Sequence, residues 1–167
     1  RFIEEIIEGP DDDIWFVPQG GALFRTHSRT HEKIDRFAID SSLVIFSAET
    51  TQGGDIILGT QENIKIYTVE ENTLSLRGTI EGFDYYNVTA IRRLGDSDIF
   101  IVGTNGNSLF KLDLREERSI LSKLSELPEL ESVNVNSIST DSEGNLWIST
   151  NDSGFLRISL SDGETSV

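Results

Sequence analysis

The sequence predicts an all-β protein made of β-propeller blades, and three observations lead to that prediction. Short runs rich in β-branched and aromatic residues recur along the 167-residue chain and are bounded by Gly, Asn and Asp. The most apolar runs return at a period of roughly 42–47 residues, which is the length of a propeller blade. Each repeat also has room for four short strands, the number in one blade. At 18.6 kDa the chain has the size of one domain.

The most apolar strand of each repeat anchors it. Anchor strands are predicted at residues 14–17, 56–58, 99–102 and 146–148, with Trp15, Ile57, Phe100 and Trp147 as the repeating residues. Nine residues before each of them stands a small or apolar residue of a preceding strand: Ile6, Ala48, Ile91 and Ile138. The segment between the two strands is rich in Asp, Gly and Asn, which tolerate the backbone of a tight antiparallel hairpin. Each repeat is therefore predicted to begin with a hairpin.

A third and a fourth strand complete the repeat. After a second turn, the third strand carries a basic residue between apolar ones: Arg25, Lys65, Lys111 and Arg157. More polar fourth strands are predicted at residues 33–39, 73–80 and 119–127, whereas the fourth repeat has only residues 164–167 left for this strand. One extra residue between Phe100 and Gly103 predicts a β-bulge in the third repeat.

These repeats predict four consecutive blades of one propeller domain. The blades span residues 1–42, 43–86, 87–132 and 133–167, and the outer strand of the last blade is incomplete. Inner strands of a blade are covered by neighbouring blades, so Trp15 and Trp147 are expected to pack between blades rather than to stack on a ligand. A β-sandwich is the alternative, but it requires no four-strand repeat.

The fourth repeat carries the most specific motif. Residues 127–128 read Leu-Pro, residues 137–138 Ser-Ile, residues 141–150 Asp-Ser-Glu-Gly-Asn-Leu-Trp-Ile-Ser-Thr, and residues 154–157 Gly-Phe-Leu-Arg. This run resembles the two-component regulator propeller repeat, which has Leu-Pro, Ser-Ile, Asp-x-x-Gly-Asn-Leu-Trp-Ile-Gly-Thr and Gly-Leu-x-Arg. The second and third repeats keep the Gly-Thr step at residues 59–60 and 103–104.

The resemblance implies a fold and a function. Such repeats form seven-bladed propellers in the periplasmic sensor region of hybrid two-component histidine kinases. The resemblance therefore implies an extracytoplasmic segment of an inner-membrane receptor. This receptor would sense a glycan-derived oligosaccharide and signal to a histidine kinase in the parent protein. Four repeats in a chain that lacks Met and begins at Arg1 are expected to be an arc of a larger, seven-bladed propeller. Its open faces would be covered by further blades or by self-association.

Composition narrows the possible partners. Asp and Glu total 29 against 14 Lys and Arg, so the formal net charge of −15 disfavours nucleic acid and anionic membranes. The chain has no Cys and therefore forms no disulfide and no thiolate metal site. No apolar run reaches the roughly 18 residues of a transmembrane helix, so this segment is predicted to make no membrane contact of its own.

No catalytic, cofactor or metal site is predicted. His27 and His31 lie in a predicted hairpin loop among basic residues and lack a clear third ligand. The acidic runs at residues 11–13 and 141–145 lack the ligand spacing of a calcium loop and are predicted to be turns. With 29 carboxylates in the chain some acidic pair is always available, so no glycosidase pair stands out.

A ligand-binding face is the remaining candidate. In a propeller, the turns between second and third strands emerge at the same end as the links between blades. That end would collect amides, a carboxylate and aromatic rings, which offer hydrogen bonds and an apolar surface to a neutral sugar. The predicted ligand-binding residues are Tyr85, Tyr86, Gln61, Asn105, Asn107, Asn151 and Asp152. The alternative is that the Asn and Asp residues only form turns.

The predicted function is therefore a non-catalytic sensor propeller of a two-component receptor, and it rests mainly on the resemblance. Three alternatives stay open. The arc could be a scaffold for protein–protein interaction, a fragment of a propeller lyase or hydrolase, or a structural segment whose ligand is bound by other blades.

Overall fold

The computed structural model describes residues 2–27, 33–71, 73–106, 109–116, 118–124 and 132–159. Within them the chain forms antiparallel strands and a short 3-10 helix at Pro10–Asp12. The strands are β1 (Ile3–Glu8), β2 (Asp13–Pro18), β3 (Ala22–His27), β4 (Ile34–Ala38), β5 (Ile45–Thr50), β6 (Ile56–Thr60), β7 (Ile64–Glu70), β8 (Thr73–Ile80), β9 (Val88–Arg93), β10 (Ile99–Thr104), β11 (Leu109–Asp113), β12 (Ile120–Lys123), β13 (Val135–Thr140), β14 (Leu146–Thr150) and β15 (Phe155–Ile158). The all-β prediction is confirmed.

The described strands form four sheets, each a meander in chain order. Strands β1–β4, β5–β8, β9–β12 and β13–β15 make up the sheets that we call blades 1 to 4. The first strands of successive blades contact one another at the centre of the arc, and the last strands lie outermost. Strand β6 is buried throughout, whereas β12 is largely exposed. This arrangement confirms the predicted propeller blades, and the outer strand predicted for blade 4 at residues 164–167 lies outside the described residues.

Apolar side chains between adjacent blades hold the sheets together. Each blade has a leading face, toward the preceding blade, and a trailing face, toward the following one. Trp15 and Leu23 on the trailing face of blade 1 pack with Ala48, Leu58 and Tyr67 on the leading face of blade 2. Similar clusters lie between blades 2 and 3 and between blades 3 and 4. Stacking thus buries the apolar faces that a single sheet would expose to water.

The first strand of every blade contains a β-bulge. Its pairing with the second strand skips one residue in each blade: Glu4, Phe46, Thr89 and Asn136. A bulge increases the local twist and bends the strand. The four bulges therefore curve the central strands at the place where the blades converge.

The bulge predicted between Phe100 and Gly103 is wrong. Strand β10 pairs with β11 without interruption over these residues. The apparent extra residue arises because Ile101, and not Phe100, occupies the position of Trp15, as the pairing of both with a basic residue of the third strand shows. Alternation along a strand decides this register, and spacing alone misplaced the anchor by one residue.

The two outer faces of the arc are uncovered by the described residues. Ile6 on the leading face of blade 1 is 61% exposed, and Trp147 on the trailing face of blade 4 is 37% exposed. Trp15, at the position of Trp147 in blade 1, is 2% exposed, so its predicted packing between blades is confirmed. The same expectation for Trp147 stays a prediction, because the described residues include no sheet on that side of blade 4.

Candidate functional site

The turns after the second strands and the links between blades meet at one end of the arc. The residues of interest there are Gln61, Tyr85, Tyr86, Asn87, Asn105, Asn134, Asn151 and Asp152, and we call this end the link face. Of the predicted ligand-binding residues, Asn107 lies outside the described residues. The other six are all at this end, as the order of strands and turns requires.

The amide residues of the link face join consecutive blades through their backbones. Gln61 of blade 2 forms a bridge with Asn87, and Asn105 of blade 3 forms one with Asn134. The backbone N–H of Asn151 donates to the carbonyl of Asn134 at 3.0 Å. Each residue that follows a second strand therefore ties that strand to the link into or out of its blade.

The polar side chains of the link face differ in whether they take part in a joint between blades. Oδ1 of Asn105 accepts a hydrogen bond of 2.7 Å from the backbone N–H of Asn87, so this oxygen already serves the joint between blades 2 and 3. Gln61, Asn151 and Asp152 are exposed. These three can reach a ligand without breaking a blade contact.

The link between blades 2 and 3 displays two tyrosines on a buried anchor. Phe83 is 0% exposed and meets the ring of Phe110 edge to face, with centroids 5.2 Å apart. Asp84 and Tyr85 then adopt φ of 50° and 69°, and Tyr85 is 86% exposed. The buried ring thus fixes the link, and the left-handed backbone turns the next aromatic residue outward.

Tyr86 packs against the protein more closely than Tyr85 does. It is 38% exposed, and a Cβ atom on Gly106 would stand 2.8 Å from its Cε1 atom. Gly106, at φ of 130°, therefore leaves room for the ring as well as for the turn. The structure brings Tyr86 next to the turn that contains Asn105, whereas Asn151 and Asp152 belong to the turn of the next blade.

A charged cavity of about 420 Å³ lies between the first strands, and the sequence reasoning missed it. Its lining includes Glu5, Glu49, Arg92, Arg93, Asp96 and Thr140, and we call it the axial cavity. It opens near the hairpins that join first and second strands, so it is at the opposite end from the link face. The sequence does contain one indication of this cavity. In each of blades 1, 2 and 3, a charged residue stands inside an apolar first strand.

The carboxylates of the axial cavity have different environments. Glu5 accepts a hydrogen bond from the backbone N–H of Ala48, and burial, aided by the neighbouring Glu49 charge, raises the pKa of Glu5 to about 7. Glu49 accepts from the backbone N–H of Thr50 at 3.0 Å, and its Oε2 lies 3.7 Å from Nη1 of Arg92. A carboxyl group with a pKa near neutrality can donate or accept a hydrogen bond within a narrow pH range.

The acidic run at residues 141–145 is a turn, as predicted. Oδ1 of Asp141 accepts from the backbone N–H groups of Glu143 and Asn145, and its Oδ2 accepts from Nε1 of Trp147 at 2.9 Å. These bonds hold the pKa of Asp141 well below its usual range. Gly144 completes the turn at φ of 83°. The carboxylate therefore organises a hairpin and positions the indole that follows it.

The described residues hold neither a metal-binding cluster nor a membrane-spanning helix. They contain no group of three or more His, Cys, Asp or Glu side chains placed to hold a metal ion. Nor do they include a helix with the length and hydropathy needed to cross a membrane.

One protein-family model matches a segment that lies mostly in the last blade. Residues 129–152 match the family model described as "Two component regulator propeller". This segment is similar to a regulator propeller repeat. The matched segment contains Asp141, Gly144 and Trp147, the residues of the turn and of the indole contact described above. No curated protein matches the sequence significantly.

Solved structures of similar shape support the fold of nearly the whole chain. Two structures of the extracellular domain of BT4673 from B. thetaiotaomicron, described once as a one component system and once as a hybrid two component system, align at a TM-score of 0.65. Their sequence identities to this chain are 16% and 17%. Each alignment covers 96% of this chain and 21% of the other, so the chain spans about a fifth of those domains.

Proposed function

We propose that the chain is a ligand-binding part of an extracytoplasmic propeller sensor in a two-component signalling receptor. The similarity of residues 129–152 to the regulator propeller repeat and the extracellular domains of similar fold support this role. The chain acts by binding and not by catalysis, and any kinase activity belongs to another part of the receptor. Ligand binding signals by favouring one arrangement of the receptor over another.

The link face binds the ligand, which is a neutral oligosaccharide derived from a glycan. The observation that carries this proposal is the pair of tyrosines: the Tyr85 ring is 86% exposed and Tyr86 lies beside it, held by the buried Phe83. A largely exposed aromatic ring offers an apolar plane to the C–H groups of a sugar. Gln61, Asn151 and Asp152 add exposed hydrogen-bonding groups at the same end.

Charge favours a neutral sugar over an acidic one. The chain has a formal net charge of −15, which repels polyanionic glycans at long range. The axial cavity is a weaker candidate for this ligand, because its charged groups Glu49 and Arg92 lie 3.7 Å apart and neutralise each other. On the link face, by contrast, Gln61 and Tyr85 are both exposed, and Gln61 is tied to Asn87 through its backbone.

Calorimetric titration with a panel of neutral oligosaccharides tests the proposal. Tyr85→Asn removes the ring and keeps a residue that tolerates positive φ, so the fold is preserved. We expect it to weaken binding at least tenfold. Leu76→Ala is the matched control, because Leu76 is 53% exposed on the outermost strand of blade 2, away from the link face. This control is expected to bind as tightly as the original chain.

Two results would contradict the proposal in different ways. Unchanged binding by Tyr85→Asn would remove the link face as the site while leaving a glycan sensor. Absence of binding to every oligosaccharide, with circular dichroism showing folded protein, would oppose glycan sensing and favour a protein–protein scaffold.

A further inference from the structure

The axial cavity has the size of a small-molecule site and a wall with charges of both signs. Its volume is about 420 Å³, within the range of about 300–1,000 Å³ that is usual for ligand pockets. Blades 1, 2 and 3 contribute the charged side chains of its wall: Glu5, Glu8, Glu49, Arg92, Arg93 and Asp96. None of these residues belongs to the link face, so the axial cavity is a separate surface of the chain.

One ion pair in this wall is already complete. Oε2 of Glu49 lies 3.7 Å from Nη1 of Arg92 and accepts from the backbone N–H of Arg93 at 3.3 Å. Oε1 of the same carboxylate accepts from the backbone N–H of Thr50 at 3.0 Å. Both oxygens of Glu49 therefore have partners within the protein, and this pair serves the joint between blades 2 and 3.

Two other charged groups of the wall have no counter-charge. Glu5 accepts from the backbone N–H of Ala48 through Oε2, and it forms no ion pair with a described residue. The guanidinium of Arg93 likewise has no ion pair or hydrogen bond in the part of the chain that the structure describes. Both residues are half-buried. Because a partly buried charge without a counter-charge is unfavourable, each is a place where a ligand group of opposite sign is stabilised.

The two groups stand at different levels of the central strands. Glu5 lies opposite Val17, at the position that Ala90 holds opposite Gly103 in blade 3. Arg93 follows three residues after Ala90 on strand β9. At about 3.3 Å per residue, the two levels are roughly 10 Å apart along the strands. A ligand that reaches both groups therefore needs its charges at opposite ends of an extended molecule.

Charge determines which ligand group goes to which end. A ligand ammonium group donates to the free Oε1 of Glu5, and a ligand carboxylate accepts the paired N–H groups of Arg93. Glu8 and Asp96 also line the cavity, so its wall has four carboxyl groups and two guanidinium groups. This excess of carboxyl groups disfavours a ligand with a net negative charge.

We propose that the axial cavity binds a small, extended zwitterion of the short-peptide class, with its ammonium group on Glu5 and its carboxylate on Arg93. An extended peptide of three residues spans about 10 Å, which matches the separation of the two levels. Since Glu5 belongs to blade 1 and Arg93 to blade 3, the bound peptide ties these two blades together across blade 2. The site does not depend on oligosaccharide binding at the link face.

Calorimetric titration of the original chain with triglycine tests this site. The titration is made at about pH 7.5, between the pKa of Glu5, about 7, and that of a terminal ammonium group, about 8. N-acetyltriglycine lacks the ammonium group, and triglycine amide lacks the carboxylate. We expect triglycine to bind and each blocked form to bind at least about tenfold more weakly. Free glycine, whose charges are adjacent, is expected to bind no more tightly than the blocked forms.

Two variants assign the ends of the peptide. Glu5→Gln keeps an oxygen that accepts from Ala48, and it is expected to remove the difference between triglycine and its acetylated form. Arg93→Gln is expected to remove the difference between triglycine and its amide. Glu70→Gln and Arg77→Gln, on the two outer strands of blade 2, are the matched controls and are expected to bind as the original chain does.

The blocked peptides and the variants can each overturn the proposal. If triglycine does not bind the original chain, the cavity is not a site for this class of ligand. Equal binding of triglycine and its acetylated form would show that the ammonium group does not contact Glu5. Unchanged binding by both Glu5→Gln and Arg93→Gln would place the peptide elsewhere on the chain. The glycan titration of Tyr85→Asn concerns only the link face, so the two proposals fail separately.

Discussion

Trp15 and Trp147 stand at the same position in the first and last blades, yet one is a core residue and the other lies at the surface. Each follows a turn, each lies opposite a basic residue of the third strand, and each has a guanidinium over its ring. Their exposures are 2% and 37%. The difference comes entirely from the neighbouring sheet: blade 2 covers Trp15, and no described sheet covers Trp147.

Gly103 and Ser149 form a second pair of equivalent positions, one on a covered face and one on an uncovered face. Gly103 on the trailing face of blade 3 lies so close to blade 4 that a Cβ atom would be 2.8 Å from Cβ of Val135. Blade 4 has Ser149 at this position, and its hydroxyl bonds to Ser137 instead of meeting another blade. A covered face needs glycine at this point between blades 3 and 4, whereas the uncovered face accommodates a side chain.

The largest expected effect separates the two tryptophans. Trp15→Ala removes a ring in contact with Phe37 and is expected to lower the free energy of unfolding by about 3–5 kcal/mol. Trp147→Ala is expected to cost less than half as much, because its ring is already partly hydrated. Urea unfolding of both variants measures the two losses. Equal losses would show that the trailing face of blade 4 is covered in solution.

Close packing between blades gives the second prediction. Gly103→Ala is expected to lower the free energy of unfolding by about 1–3 kcal/mol, because Val135 or the blade as a whole must move. Ser149→Ala serves as the matched substitution on the uncovered face and should stay within about 0.5 kcal/mol of the original chain. Thermal and urea unfolding of the pair would test it. A tolerated Gly103→Ala would mean that the blades separate easily.

Glu5 makes the covered junction of blades 1 and 2 sensitive to pH. Its pKa is raised from 4.5 to about 7 in the folded chain, so folding takes up a proton between these values. Stability from this group is complete below pH 4.5 and is lost as pH rises to about 7, by about 1–3 kcal/mol. Glu4, Glu49 and Arg92 face the same carboxyl group and modulate this effect.

Glu5→Gln tests the pH effect. The substitution is expected to flatten the dependence of unfolding free energy on pH between about 4.5 and 7. Asp35, Asp40, Asp113 and Asp141 have lowered pKa values and lose their stabilising interactions on acidification, outside this window. Blade 4 has Ser137 at the position of Glu5, so its uncovered face has no equivalent carboxylate. Parallel pH profiles of the original chain and Glu5→Gln would contradict the assignment.

The smallest expected effect is a difference in fluorescence quenching, which compares the solvent exposure of the two tryptophans directly. The chain has two Trp residues, so Trp15→Phe and Trp147→Phe each leave one emitter. Acrylamide is expected to quench Trp147 severalfold more steeply than Trp15 in dilute protein, because Trp147 is exposed. Steep quenching of Trp15 would show that blades 1 and 2 open in solution.

Much of the fold follows from local pattern, and less of the candidate site does. The repeat predicted four blades, and the turn at residues 141–145 was predicted from Asp141, Gly144 and Asn145, whose side chains or φ values form it. The predicted site residues that the structure describes lie at the link face, but Asn105 already accepts a hydrogen bond from Asn87. Their role in binding stays a prediction.

The axial cavity could not be predicted, because its members come from different blades. Glu5, Glu49 and Arg92 each appear in the sequence as a charge in an apolar strand. Only the curvature of the central strands places them around one space and gives Glu5 its raised pKa. A single repeat contains no information on how far its first strand lies from the next.

The order of residues alone determined the strands, the hairpins and the repeat, because alternation and turn conformation depend on sterics between near neighbours in the chain. The stacking of the blades decided three further properties. It buries the indole of Trp15, it requires glycine at position 103, and it raises the pKa of Glu5. Those properties depend on contacts between residues about one blade apart in the chain, and such contacts exist only once the sheets have come together.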